Sequence, residues 1–191
     1  MTDSALVPAP SQTSGPFLSI GLLRDHVGPS VVSEDDQRAI RIRGRLLDGN
    51  GDPVPDGLIE IWQANAAGRY AHEDDLRTDI PLEDGFRGFG RSGTVDDGWF
   101  EFVTVKPGRV PAPDGEPQAP HLVVLVFARG LLKQLVTRLY FPDESDANAA
   151  DPILSELDET ERATLIARAE DGGLRFDIRL QGDGETTFFA V

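Results

Sequence analysis

Apolar and basic residues alternate through Ile40–Leu47 (IRIRGRLL), the period of two that belongs to a half-buried strand. The run Asp48–Gly57 (DGNGDPVPDG) that follows is dense in turn residues. Leu58–Trp62 carries apolar side chains on both faces and so predicts a buried strand. Trp99–Val105 (WFEFVTV) is entered from the turn Asp96-Asp97-Gly98 and closed by Pro107-Gly108, and a proline-rich loop covers Val110–Pro120. Leu122–Ala128 and Leu135–Phe141 (LVTRLYF) predict two further strands, the first of them buried. One helix is expected, capped by Asp158 or Thr160 and running to about Ala169, with Gly172-Gly173 at its end. Leu174–Gln181 (LRFDIRLQ) alternates cleanly, and Gly182-Asp183-Gly184 turns it into a last strand at Thr186–Ala190. The first 35 or so residues, punctuated by Pro8, Pro10, Pro16 and Pro29, predict an extended arm rather than a helix. Its Phe17, Leu18, Ile20, Leu22 and Leu23 are suited to lie against the domain or a partner. Short strands separated by turns, with one late helix, predict an all-β fold: a β-sandwich of mixed sheets in a single domain spanning 1–191.

Composition narrows the class. The 191 residues include 20 Gly and 14 Pro, which suits a turn-rich β protein, and 39% hydrophobic residues with ten Phe, which suits a packed core. A net charge of −15 disfavours nucleic acid and anionic membrane as partners. Zero cysteine removes disulfides, thiolate nucleophiles and cysteine-bound metals. The longest apolar run, Leu122–Ala128, has seven residues where a membrane helix needs about 20. Met1–Gly15 has neither a basic nor an apolar leader region, so a cytoplasmic protein is expected.

Candidate chemistry is sparse. There is no G-x-S-x-G elbow, phosphate-cradling loop or H-E-x-x-H, and the only histidines are His26, His72 and His121. Tyr70-Ala71-His72-Glu73-Asp74-Asp75 offers donors suited to a hard metal, or else begins a solvated charged loop. His121, between a proline-rich loop and a buried strand, fits a hydrogen-bonded structural residue. Arg129, at the end of an apolar strand and before Gly130, fits either a guanidinium pointing into a cleft or a salt-bridged surface residue.

Eight segments in order give the chain a likeness beyond its composition: PSQTSGP at Pro10–Pro16, IEIWQANAAGRY at Ile59–Tyr70, Lys106-Pro107-Gly108, Ala119-Pro120-His121, LVFARG at Leu125–Gly130, TRLYF at Thr137–Phe141, RFDI at Arg175–Ile178 and QGDGE at Gln181–Glu185. With these the chain resembles the intradiol ring-cleavage dioxygenases, and among them the α subunits of the two-chain enzymes acting on 3,4-dihydroxybenzoate. The resemblance implies a β-sandwich and a ring-opening reaction with O2 that gives 3-carboxy-cis,cis-muconate. It also implies Fe(III) held by two tyrosinates and two histidines of an iron-bearing β subunit.

Mapped onto this sequence, the resemblance places Tyr70 and His121 at two ligand positions and Val110 and Val123 at the other two. Gln118 stands where the iron-bearing chains carry an arginine, and Tyr140 lies in a different part of the pattern. One phenolate and one imidazole cannot satisfy ferric iron, so no metal and no catalytic residue is expected in this chain. The resemblance instead implies a substrate-lining role for Thr13, Gly15 and Pro16 of the arm and for Arg129, whose charge suits a substrate carboxylate. A self-sufficient dioxygenase with an altered iron site and a non-enzymatic β-sandwich binding module are the competing readings.

Overall fold

The computed structural model describes residues 10–24 and 27–190; His26 and the first nine residues lie outside the described residues. Among the described residues, nine strands form two sheets. The first contains β1 (Ile40–Leu47), β4 (Trp99–Thr104), β7 (Arg168–Glu170), β8 (Gly173–Arg175) and β9 (Ile178–Arg179) in the order β4-β1-β8-β7, with β9 also paired to β1. It is mixed: β1 runs antiparallel to β4 and parallel to β8 and β9. The second contains β2 (Leu58–Trp62), β3 (Phe89–Gly93), β5 (His121–Phe127) and β6 (Leu135–Tyr140) in the order β3-β2-β5-β6, all antiparallel.

The alternation read in β1 appears as its burial pattern. Ile42 and Leu46 face the other sheet, while Arg41, Arg43 and Arg45 face outward. Ile42, Leu46, Phe100, Phe102, Phe176 and Ile178 meet Ile59, Ile61, Leu122, Val124, Val126 and Leu139 in one core between the sheets.

The sequence expectation is corrected in several places, the strand expected at Leu174–Gln181 being split into β8 and β9 among them. The arm is not wholly extended: Phe17–Leu22 forms a helical turn and a half, α1. Two short helices, α2 (Ser145–Ala149) and α3 (Pro152–Ser155), precede the expected one. That one, α4 (Glu159–Leu165), has the capping box of Asp158 and Glu161 but stops four residues early. It stops because Ile166 turns extended to bridge Tyr140, and the Ala167 N–H donates to the Tyr140 carbonyl at 3.0 Å. Finally, Thr186–Ala190 makes a single bridge, Phe189 to Val136, rather than a strand. Among the described residues no helix is long and apolar enough to cross a membrane.

The outward face of the second sheet positions the candidate site. The arm crosses one end of it, where Arg91 pairs with Glu60 and donates to the Leu22 carbonyl at 3.0 Å. Loops 63–88 and 105–120 cover the other end.

Candidate functional site

Strand register places Trp62 opposite Val123 and Val123 opposite Arg138, with His121 opposite Tyr140. Successive side chains alternate faces, so Trp62, His121, Val123, Arg138 and Tyr140 form one patch on the outward face. The loop after β2 returns onto this patch through a turn organised by Asn65. Its buried Oδ1 accepts from Ala67 N and Arg69 N, and its Nδ2 donates to the Pro81 carbonyl at 2.9 Å. Tyr70 is thereby laid parallel on Trp62, with ring centroids 5.9 Å apart. The loop after β4 brings in Val110, and a cleft of about 470 Å³ opens between Trp62, Tyr70, His72, Arg77, Val110 and Pro111.

All four positions mapped as ligand sites thus fall on one patch. Tyr70 and Val110 line the cleft, and His121 and Val123 stand on the strand beside it. Tyr140, which the sequence reading set apart, belongs to the patch as well: its ring lies 5.6 Å from His121. The sequence alone did not decide this, because whether Tyr140 or Leu139 shares the face of His121 depends on cross-strand register.

The donors present do not fit ferric iron. Burial raises the phenol pKa of Tyr70, with Arg138 and Arg77 only partly offsetting it. Burial also raises that of Tyr140, whose hydroxyl donates to Asp151 at 3.2 Å and accepts from Arg138. Both are neutral phenols in the metal-free chain. In the Tyr70–Asp75 run the carboxylate of Asp75 is taken up by Arg77 and by the Tyr70 N–H, while His72, Glu73 and Asp74 are exposed. Two of the four side chains at the mapped positions are valines.

His121 is a buried structural histidine. Its Nδ1 lies 2.8 Å from the Ala119 carbonyl, and burial, with Arg138 adding to it, lowers its pKa to about 4. The unfolded chain therefore takes up a proton between about pH 6.5 and 4 that the folded chain refuses. Stability falls as pH falls through that window, by up to about 3 kcal/mol from this group. Denaturation midpoints at pH 7.5 and 5 are expected to differ less in His121→Gln than in the wild type. Equal differences would show that the folded chain protonates His121 freely.

The expected substrate-lining residues are brought together elsewhere. The Gly130 N–H at the end of β5 donates to Thr13 Oγ1 at 2.8 Å, joining the arm to the strand that ends in Arg129. Thr13 and Gly15 line a surface groove of about 420 Å³ with Phe127, Ala128 and Leu131. Pro16 begins the turn into α1. Arg129 follows Ala128 of this groove in the chain; its side chain is 65% exposed, with Asp56 3.7 Å away. This groove is separate from the patch around Tyr70.

A two-sheet sandwich with an aromatic-walled cleft on one outward face defines a class, and sequence comparison agrees. The sequence profile of the Dioxygenase family matches residues 24–182, and the chain belongs to that family, the intradiol ring-cleaving dioxygenases. The chain is 43% identical to the protocatechuate 3,4-dioxygenase alpha chain of Pseudomonas putida, over 96% of both chains. It is 40% identical to the protocatechuate 3,4-dioxygenase beta chain of Burkholderia cepacia, over 77% of this chain and 66% of that one. Among solved structures, the dioxygenase domain of a dioxygenase and carbohydrate-binding protein fusion from Streptomyces sp. SirexAA-E superposes with a TM-score of 0.59 at 26% identity. That match covers 92% of this chain and 99% of that domain.

Proposed function

We propose that the chain is the iron-free α subunit of a protocatechuate 3,4-dioxygenase. With an iron-bearing β subunit it would open the ring of 3,4-dihydroxybenzoate between the two hydroxylated carbons. Both atoms of O2 enter the product, 3-carboxy-cis,cis-muconate, as the two new carboxylates. The reading rests on the family match over residues 24–182 together with valines at two of the four mapped ligand positions, Val110 and Val123. Such a chain contributes to catalysis through what it presents to a partner. Relatives of the two kinds, alpha and beta, align along this one chain and support a homologous partner.

The groove supports the manner of that contribution. Thr13, Gly15 and Pro16 are exposed on an arm already held to the domain through Gly130, and the neighbouring Arg129 supplies an exposed cation. On α1 the side chains of Phe17 and Ile20 are 79% and 70% exposed, apolar surface suited to burial against the partner. In this reading the arm and the 127–130 segment form part of the wall of the partner's substrate pocket. Arg129 then attracts the ring carboxylate, and the iron chemistry belongs to the partner.

Co-expression with an iron-bearing homologue, followed by size-exclusion chromatography and assay with 3,4-dihydroxybenzoate, tests the reading. Co-elution, and activity that needs both chains, are expected. Arg129→Ala in the assembled enzyme is expected to raise KM about fivefold, as for loss of a partly exposed ion pair of about 1 kcal/mol, with kcat and the visible iron absorption unchanged. A coloured, active preparation of this chain alone would favour the self-sufficient alternative. An unchanged KM would remove Arg129 from substrate binding.

A further inference from the structure

The patch around Tyr70 contains one charged group for which neither the family match nor the groove accounts. Arg138 projects from β6 beside Val123, on the same face as His121 and Tyr140. Its Nη1 donates to Gln118 Oε1 at 2.7 Å and to the Tyr140 hydroxyl at 3.2 Å. Gln118 is itself held from the other side: its Nε2 donates to the Pro111 carbonyl at 3.1 Å, and its own carbonyl accepts from Arg109 Nε at 3.1 Å. The guanidinium is thus fixed by Gln118 and Tyr140 on the sheet face that carries His121 and Val123. Its charge acts at once on Tyr70, His121 and Tyr140. Among the described residues no carboxylate lies within ion-pair distance of it. The buried carboxylate of Asp151 faces it only through the shared Tyr140 hydroxyl. In a chain of net charge −15, a half-buried arginine without a directly paired carboxylate stands out.

We propose that Arg138 occupies the role of the metal in this patch: it is the cation fixed by Gln118 and Tyr140 on the face below the Tyr70 loop, and it excludes a ferric ion independently of the two missing donors. A guanidinium has five N–H donors, a positive charge and no lone pair to offer, so it repels a trication without being able to ligate it. The proposal rests on the reading of Tyr70, Val110, His121 and Val123 as ligand positions. It does not depend on the partner or the substrate. Restoring the donors as Val110→Tyr and Val123→His is therefore insufficient; Arg138 must go as well.

The full chain is purified in whichever assembly keeps it soluble. Iron per copy and visible absorption are measured against the wild-type preparation. Val110→Tyr/Val123→His is expected to gain no iron. Adding Arg138→Gln is expected to gain about one ferric ion per copy of this chain, with a new tyrosinate-to-iron absorption band. Adding Arg138→Lys instead, which keeps the charge, is expected to leave the site empty. A double variant that loads as fully as the triple overturns the proposal. So does a Lys version that loads as fully as the Gln version, or a folded triple variant that takes up none. A parallel triple with Arg138→Ala guards against misfolding. Failure of both the Gln and Ala triples to fold, while the double variant folds, would show that the fold requires Arg138 and would overturn the exclusion claim. Loss of co-elution with the partner is read separately and bears only on the subunit assignment.

Discussion

Asp151→Ala is expected to lower folding stability by about 4 kcal/mol, although residue 151 touches neither the groove nor the cleft. Asp151 is fully buried, and its carboxylate makes four hydrogen bonds. Oδ1 accepts from Ile153 N at 2.9 Å and Leu154 N at 3.0 Å, capping α3, whose first residue is Pro152. It also accepts from the Tyr140 hydroxyl, and Oδ2 accepts from Ala119 N at 2.8 Å. Loss of the cap costs about 1–2 kcal/mol. The Ala119 N–H, at a residue with no exposure, is left without a partner for about 1–3 kcal/mol more. For a chain of this length the melting temperature is expected to fall by about 8–15 °C. Asp151→Asn separates the terms. An amide has one oxygen, so it can cap α3 or accept from Ala119 N, and the other interaction becomes donor against donor. It should recover about half of the loss. Thermal and urea denaturation of the two variants measure both. A loss under about 1 kcal/mol in Asp151→Ala would mean that water replaces the carboxylate at no cost.

Most of the sandwich was readable because its strands are cut from burial. The β1 alternation, the two-sided apolar run of β2 and the apolar run of β5 each report a physical environment directly. β3 was not readable: FGRSG has no apolar alternation and two glycines, and it becomes a strand only by pairing with all five residues of β2. The same applies in reverse at Thr186–Ala190, whose β-prone residues find one bridging partner, and at Ile166, which leaves a helical pattern for the sheet edge beside Tyr140. For the site, the mapped ligand positions could be read from motif order. The place of Arg138 and Tyr140 depended on cross-strand register, which one sequence does not fix. Arg129 could be read as a residue, but its exposure could not, because its neighbour Asp56 comes from a distant turn.

Register accounts for the sheet half of the patch; the loop half depends on the close approach of two backbones, and Gly68→Ala is expected to destroy it. Gly68 has φ +86° and closes the turn that Asn65 organises. A Cβ placed there would stand 2.3 Å from the carbonyl oxygen of Arg109, which is backbone and cannot swing aside. Gly108 N donates to the Asn65 carbonyl at 2.9 Å across the same seam, so the loops carrying Tyr70 and Val110 are joined there. The left-handed conformation costs an alanine about 1–2 kcal/mol, and forcing the loops apart adds about 1–3 kcal/mol. Gly115 provides the comparison: its φ is +91°, yet a Cβ there meets nothing within 4 Å. Gly115→Ala is therefore expected to cost only the conformational part, about 1–2 kcal/mol. The difference between the two urea midpoints then measures the seam itself. Gly68→Ala should also weaken the near-ultraviolet dichroism of the stacked Trp62 and Tyr70, while Gly115→Ala leaves it intact. Equal losses of stability in the two variants would mean that the loops yield to a methyl group. The cleft between Tyr70 and Val110 would then be held by the strands beneath it rather than by the seam.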